Sequence, residues 1–177
     1  MTYTNIKKFT LILISIFAIN TKIAFAMHEF ELHSKPKMAP SSFFQNNQGK
    51  RQTLENYRGN IIILAFWDLS CKPCLLEMPL LNRLQKKFKN KNVIILPISQ
   101  NVLAMSQIRS FYRRYKLKDL NYIIDSDNFT GSSFGVKAIP TSFIINKQGQ
   151  LVAQTTGLID WLSSDNVNFI EELITQN

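Results

Sequence analysis

Asn60-Ile61-Ile62-Ile63-Leu64-Ala65-Phe66-Trp67-Asp68-Leu69-Ser70-Cys71-Lys72-Pro73-Cys74 decides how this chain is read. From Ile61 to Trp67 it is continuously apolar and of strand length. It lacks the alternation of a half-solvated sheet, so the strand should be buried on both faces. The next stretch predicts a helix from about Cys71 to Phe88. Leu81, Leu84 and Phe88 recur at helical spacing, and Lys86, Lys87 and Lys89 crowd the end where cations suit the helix dipole. Pro79 lies inside this pattern and should kink it. Cys71 and Cys74, the only two cysteines in the chain, thus sit where a buried strand gives way to a helix.

That position has chemical consequences. The first turn of a helix carries free backbone N–H groups and a partial positive charge, and both stabilise a thiolate at Cys71. The thiolate is the reactive form, and cysteines in such settings have pKa values lowered to roughly 3.5–7.5. Lys72 adds a positive charge, and Pro73 is tolerated because first-turn N–H groups have no intrahelical partner. The spacing itself suggests disulfide exchange. Cys71 attacks a substrate disulfide; Cys74, one turn along, then attacks Cys71 and releases the reduced substrate.

Other uses of the pair are a structural disulfide and a metal site. So short a loop restrains the unfolded chain little, which argues against the first. Zinc wants about four ligands, and only the distant His28 and His33 accompany the cysteines. Haem attachment needs a His after the second cysteine, where Leu75 stands. No metal and no cofactor are expected.

The chain has 177 residues, 45% hydrophobic and 19% charged, which suits one globular domain with a sizeable core. Residues 1–26 read as a signal peptide. Lys7 and Lys8 form the basic start, Phe9 to Ile19 the apolar run, and Ala24-Phe25-Ala26 a small-x-small cleavage site. An uncleaved membrane anchor is the alternative. Residues 27–37, polar and containing Pro36, read as a linker, and 38–177 as the folded domain. Without the signal, 18 basic residues face 12 acidic ones, a net +6. That balance suits acidic partners or anionic lipid; no nucleic-acid signature accompanies it.

Outward from the dithiol, Ser42 to Leu54 predicts a hairpin around Asn47-Gln48-Gly49, and Val93 to Ser99 a second buried strand. Met105, Ile108, Phe111 or Tyr112, and Tyr115 mark a second helix. Tyr122 to Ile124 is a short strand and Asn128 to Phe134 a short helix. Thr141 to Asn146 and Leu151 to Thr155 flank a Lys147-Gln148-Gly149 turn, and Ser163 or Ser164 caps a last helix. The alternation argues an α/β fold with a mixed sheet. Arg109, Arg113, Arg114, Lys116 and Lys118 read as a solvated helix face, with docking of an acidic partner or membrane surface as the alternative.

Phe66-Trp67 with Cys71-Lys72-Pro73-Cys74 resembles the thioredoxin active-site segment. Glu77-Met78-Pro79 resembles the TlpA/ResA/DsbE branch, the exported thioredoxin-like reductases. Gly135-Val136 and Ile139-Pro140-Thr141 are similar to the segment bearing that family's cis-proline, and Gly149 and Gly157 to the hairpin after it. Ala39-Pro40, Phe43 and Gly59-Asn60 are similar to the start of the domain. The likeness covers about residues 38–177. It implies a thioredoxin-like fold: a mixed central sheet flanked by helices, an N-terminal β-hairpin, and a βα insertion between the cysteine helix and the cis-proline strand. The helix around Ile108 and the strand around Ile123 would supply that insertion.

The resemblance also assigns roles. Pro140 would lie cis against the dithiol and leave the Ile139 backbone free to pair with a substrate peptide. Glu77, on the same side of the helix as Cys74, would take a proton from it as the mixed disulfide resolves, with a pKa raised by burial. Trp67 would pack beside the site and meet substrate, or else be a plain core aromatic. Trp161 is expected to anchor the last helix. Ser70 departs from the family, which commonly places an aromatic there; this leaves substrate preference and redox poise open.

The implied function is a periplasmic or membrane-anchored reductase of exported client proteins, such as an apocytochrome c or a copper-site subunit, re-reduced by a membrane thiol-reductant transporter. The alternatives are a disulfide oxidase or isomerase, and a non-enzymatic metallochaperone or interaction module.

Overall fold

The seven residues Ile61–Trp67 are all buried and form the fourth of the eight strands among the described residues. The computed structural model describes residues 29–100, 105–125 and 127–176; the expected signal peptide lies outside them. The strands are β1 (Glu31–Met38), β2 (Phe44–Asn46), β3 (Arg51–Gln52), β4 (Ile61–Trp67), β5 (Val93–Ser99), β6 (Ile123–Ile124), β7 (Thr141–Ile145) and β8 (Gln150–Thr156). The helices are α1 (Lys72–Lys87), α2 (Met105–Arg114), α3 (Phe129–Ser133) and α4 (Ser164–Thr175).

One sheet runs in the order β1-β8-β7-β4-β5-β6-β2-β3. β4 and β5 are parallel, as are β5 and β6; the other neighbours are antiparallel. The fold is therefore the expected mixed α/β thioredoxin-like arrangement, with α2 and β6 as the insertion.

β4 is apolar throughout because both of its faces are covered. Ile62, Leu64 and Phe66 join a cluster with Leu96, Ile98, Phe134 and Phe143. Trp67, on the alternate set, packs under Phe111 and Tyr112 of α2, with ring centroids 5.4 and 6.3 Å away. Burying each such side chain contributes roughly 1.5–3 kcal/mol. β6 pairs with β5 only at Ile98 and Ser99. Nearer the start of β5, the Gln85 side chain of α1 takes over: its amide donates to Val93 O at 3.1 Å and its oxygen accepts from Ile95 N at 2.7 Å. This satisfies strand groups that would otherwise form an open edge.

The two hairpin turns share one solution. Asn46 Oδ1 accepts from the backbone N–H groups of Gln48 and Lys50, and Asn146 Oδ1 from those of Gln148 and Gln150. Each turn ends on a glycine at positive φ, Gly49 at 75° and Gly149 at 82°, where a side chain would be strained.

The segment read as a linker is corrected. Residues 31–37 belong to β1, which pairs antiparallel with β8 through Glu31↔Gln154 and Leu32↔Ala153, then shifts register before Lys37↔Leu151. The strand is exposed along almost its whole length. With neither face buried, it carries no apolar alternation to read. Pro36 is tolerated because it falls in the irregular stretch of an edge strand.

Candidate active site

The dithiol is delivered by a tight turn. Asp68 Oδ1 accepts from Ser70 N and Ser70 Oγ at 2.7 and 2.6 Å, and Asp68 O accepts from Cys71 N at 3.2 Å. The chain leaves β4 and reaches the N-cap of α1 within four residues, with Cys71 extended at φ −85°, ψ 98°. Cys71 performs the capping that Ser, Thr, Asp or Asn usually perform. Its Sγ accepts from Cys74 N at 3.2 Å, and its carbonyl accepts from Leu75 N at 3.1 Å. Pro73 occupies the first turn, where its missing N–H costs nothing.

Cys71 and Cys74 are joined as a disulfide with Cα atoms 5.2 Å apart. Cys71 is half-buried, whereas Cys74 is fully enclosed. An incoming sulfur can therefore reach only the first of them. When the bond is reduced, the Cys74 N–H is already aimed at the sulfur that bears the charge.

The opposite wall comes from the start of β7. Phe66 pairs with Thr141, which sets the preceding loop beside the end of β4. The Ile139–Pro140 bond is cis, as expected, and Ile139 O lies 3.7 Å from Cys71 Sγ. The loop is held at both ends. Pro140 O accepts from Gly157 N at 2.9 Å, and Thr141 Oγ1 donates to Ala138 O at 2.8 Å.

Glu77 lies one turn beyond Cys74 on α1 and is 2% exposed. Its Oε1 accepts from the indole Nε1 of Trp161 at 2.7 Å. Burial pushes its pKa up from the ordinary 4.5 to about 7, against the smaller downward pull of the indole N–H. A carboxyl poised near neutrality can both take and return a proton.

Trp67, left open between a substrate contact and a core aromatic, is 1% exposed beneath α2 and supports the end of β4 from within the core. Trp161, expected only as an anchor for the last helix, is the hydrogen-bond donor to Glu77. The sequence signal that could have found it is the pairing of a buried acid with a tryptophan just past Gly157. The structure brings Cys71 and the Ile139 carbonyl together, places Cys74 and Glu77 on successive turns of α1, and sets Pro140 cis after Ile139.

Comparison with known proteins points the same way. Residues 29–154 match the AhpC/TSA family. Over 121 residues the chain is 33% identical to the thiol-disulfide oxidoreductase ResA of Bacillus thuringiensis subsp. konkukian, a match covering 68% of this chain and 69% of that one. It is 28% identical over 134 residues to ResA of Bacillus subtilis, covering 75% and 74%. The fold superposes on a secreted thiol-disulfide isomerase from Corynebacterium glutamicum with a TM-score of 0.74, over 84% of this chain and 93% of that one. At 18% identity, this is a likeness of fold alone.

Proposed function

Since the chain belongs to the AhpC/TSA family of thioredoxin-like proteins and is a thiol–disulfide oxidoreductase with a Cys71–Cys74 active site, we propose that it reduces disulfides of exported client proteins. The observation that carries this reading is the asymmetry of the pair: a half-buried sulfur at a helix N-cap above a fully enclosed partner.

The reaction is balanced in electrons and protons. The Cys71 thiolate attacks one sulfur of a client disulfide, and the other client sulfur leaves as a thiolate and is protonated. Glu77 accepts the Cys74 proton. Cys74 then attacks Cys71 Sγ, and the second client sulfur leaves as a thiolate and takes the proton that Glu77 holds. The client gains two electrons and two protons, and the enzyme is left with the Cys71–Cys74 disulfide. Ile139, beside Cys71, offers backbone groups to an extended client segment. Leu76, two residues past Cys74, and Leu158, next to Gly157, are 65% and 46% exposed and offer apolar surface to such a segment.

A membrane thiol-reductant transporter would restore the dithiol, and the periplasm is the compartment that residues 1–26 imply. The clients would be apocytochrome c or an oxidase copper-site subunit. Support for reduction over oxidation comes from Pro73 between the cysteines, which resembles the reducing branch.

Redox titration of the Cys71/Cys74 pair tests the direction. A potential of about −270 mV or below is expected; one of about −120 mV would mark an oxidase and overturn the proposal. Cys74→Ser should hold the client on Cys71 as a mixed disulfide, which identifies it directly.

A further inference from the structure

The basic residues of the stretch that begins at Arg109 are exposed, and four of them border one cleft. Arg109 and Arg113, one turn apart on α2, line a cleft of about 470 Å³ with Lys116 and Lys118. Tyr112 and Leu117, both buried, also line it, as do Asn47 and Asn121. Among the described residues, no carboxylate lines it. Asp119, the nearest acid in sequence, faces Asn82 instead: its backbone N–H donates to Asn82 Oδ1 at 3.0 Å, and its carboxylate accepts from Asn82 Nδ2 at 3.4 Å.

The backbone supplies a second observation. Four non-glycine residues have positive φ among the described residues: Asn90, Asn92, Asn128 and Lys116. Asparagine adopts this region more readily than lysine. At the end of α2 a glycine or asparagine would close the helix at less cost. Lys116 holds φ 53° there, with Leu117 N bonded to Tyr112 O at 2.9 Å. The turn brings Lys118 back to the same cleft as the two arginines. Retaining a lysine at the strained position is accounted for if its charge is used.

We infer that this cleft binds an acidic, extended segment of a partner protein. Charge complementarity selects an anion, and paired guanidinium groups suit carboxylates. The concave shape and apolar lining residues favour an inserted chain over a flat lipid surface, and the asparagine amides can pair with peptide groups. The cleft is lined by none of the dithiol residues, so the inference stands or falls independently of the reductase reading.

The test uses the full chain and a short fluorescein-labelled peptide of alternating glutamate and tyrosine, with its glutamine counterpart as control. Fluorescence anisotropy should show binding of the acidic peptide alone, weakening with salt. Arg109→Glu with Arg113→Glu should lower affinity at least about tenfold and leave reduction of a small-molecule disulfide unchanged. Lys116→Gly should weaken binding while keeping or raising the melting temperature, a combination that a merely structural lysine would not produce. Equal binding of the peptide by wild type and the double variant would overturn the inference. So would binding confined to phosphatidylglycerol vesicles or to inorganic phosphate.

Discussion

The indole of Trp161 donates to the carboxylate of Glu77 at 2.7 Å across 84 positions of sequence, and both side chains are buried. This bond ties the segment before α4 to the helix that carries the cysteines. It also sets how the acid behaves. Burial favours the neutral carboxyl, and the indole N–H favours the ion; the balance falls near neutrality.

Trp161→Phe should therefore shift the pH dependence of disulfide reduction. Removing the donor withdraws support from the carboxylate, so the acid's pKa should climb from about 7 by about one unit. The rate limb that reports Glu77 should move toward alkaline pH. Glu77→Gln should remove that limb and slow turnover by about a hundredfold. A pH–rate profile of Trp161→Phe that overlies wild type would exclude the bond from the mechanism.

Stability should carry the same signature. Glu77 holds its proton up to about pH 7 when folded and up to about 4.5 when unfolded. Between these values the folded state binds more protons, so stability falls as pH rises. The contribution is complete below the lower value and lost above the upper, at most about 3 kcal/mol. Urea midpoints of the disulfide form, taken on either side of this window, should fall with pH. In Glu77→Gln, which cannot titrate, this component should be absent.

The sequence disclosed most readily those features whose cause is local. β4 announced itself through seven apolar residues in a row, α1 through its spaced leucines, and the dithiol through its place between them. Pro140 was legible by likeness to a family. β1 was not, because an edge strand exposed on both faces leaves no apolar pattern. The burial of Trp67 was hidden for another reason: the periodicity of α2 predicts a helix but not which strand Phe111 and Tyr112 will cover. The bond from Trp161 to Glu77 depends on the position of α4 against α1, which neither segment encodes alone. Asn47 and the Arg109 cleft meet through strand pairing that joins β2 to β6.

Asp125 offers a test of stability away from the dithiol. It is 2% exposed, and its two oxygens accept from Thr130 N at 3.1 Å and Gly131 N at 2.8 Å. These are first-turn amides of α3 with no helical partner. Asp125→Ala should strand both donors in a buried setting and cost about 2–4 kcal/mol by denaturant unfolding. Asp125→Asn, which keeps one acceptor, should cost less. Because α3 leads into Phe134 of the core cluster, the loss should appear in the global transition.

The unequal surroundings of the two sulfurs make the last prediction. After reduction, Cys71 should react with iodoacetamide at neutral pH about tenfold faster than free cysteine, because its sulfur is accessible and receives the Cys74 N–H. Cys74, fully enclosed, should stay unlabelled until the chain unfolds. The advantage of Cys71 should shrink above about pH 9, where free cysteine is itself ionised. Mass spectrometry of the alkylated peptides separates the two sites, and Cys71→Ser should abolish both rapid labelling and disulfide reduction. Were Cys74 to label first, attack would have to begin at the enclosed sulfur, and the order of steps assigned to the pair would be reversed.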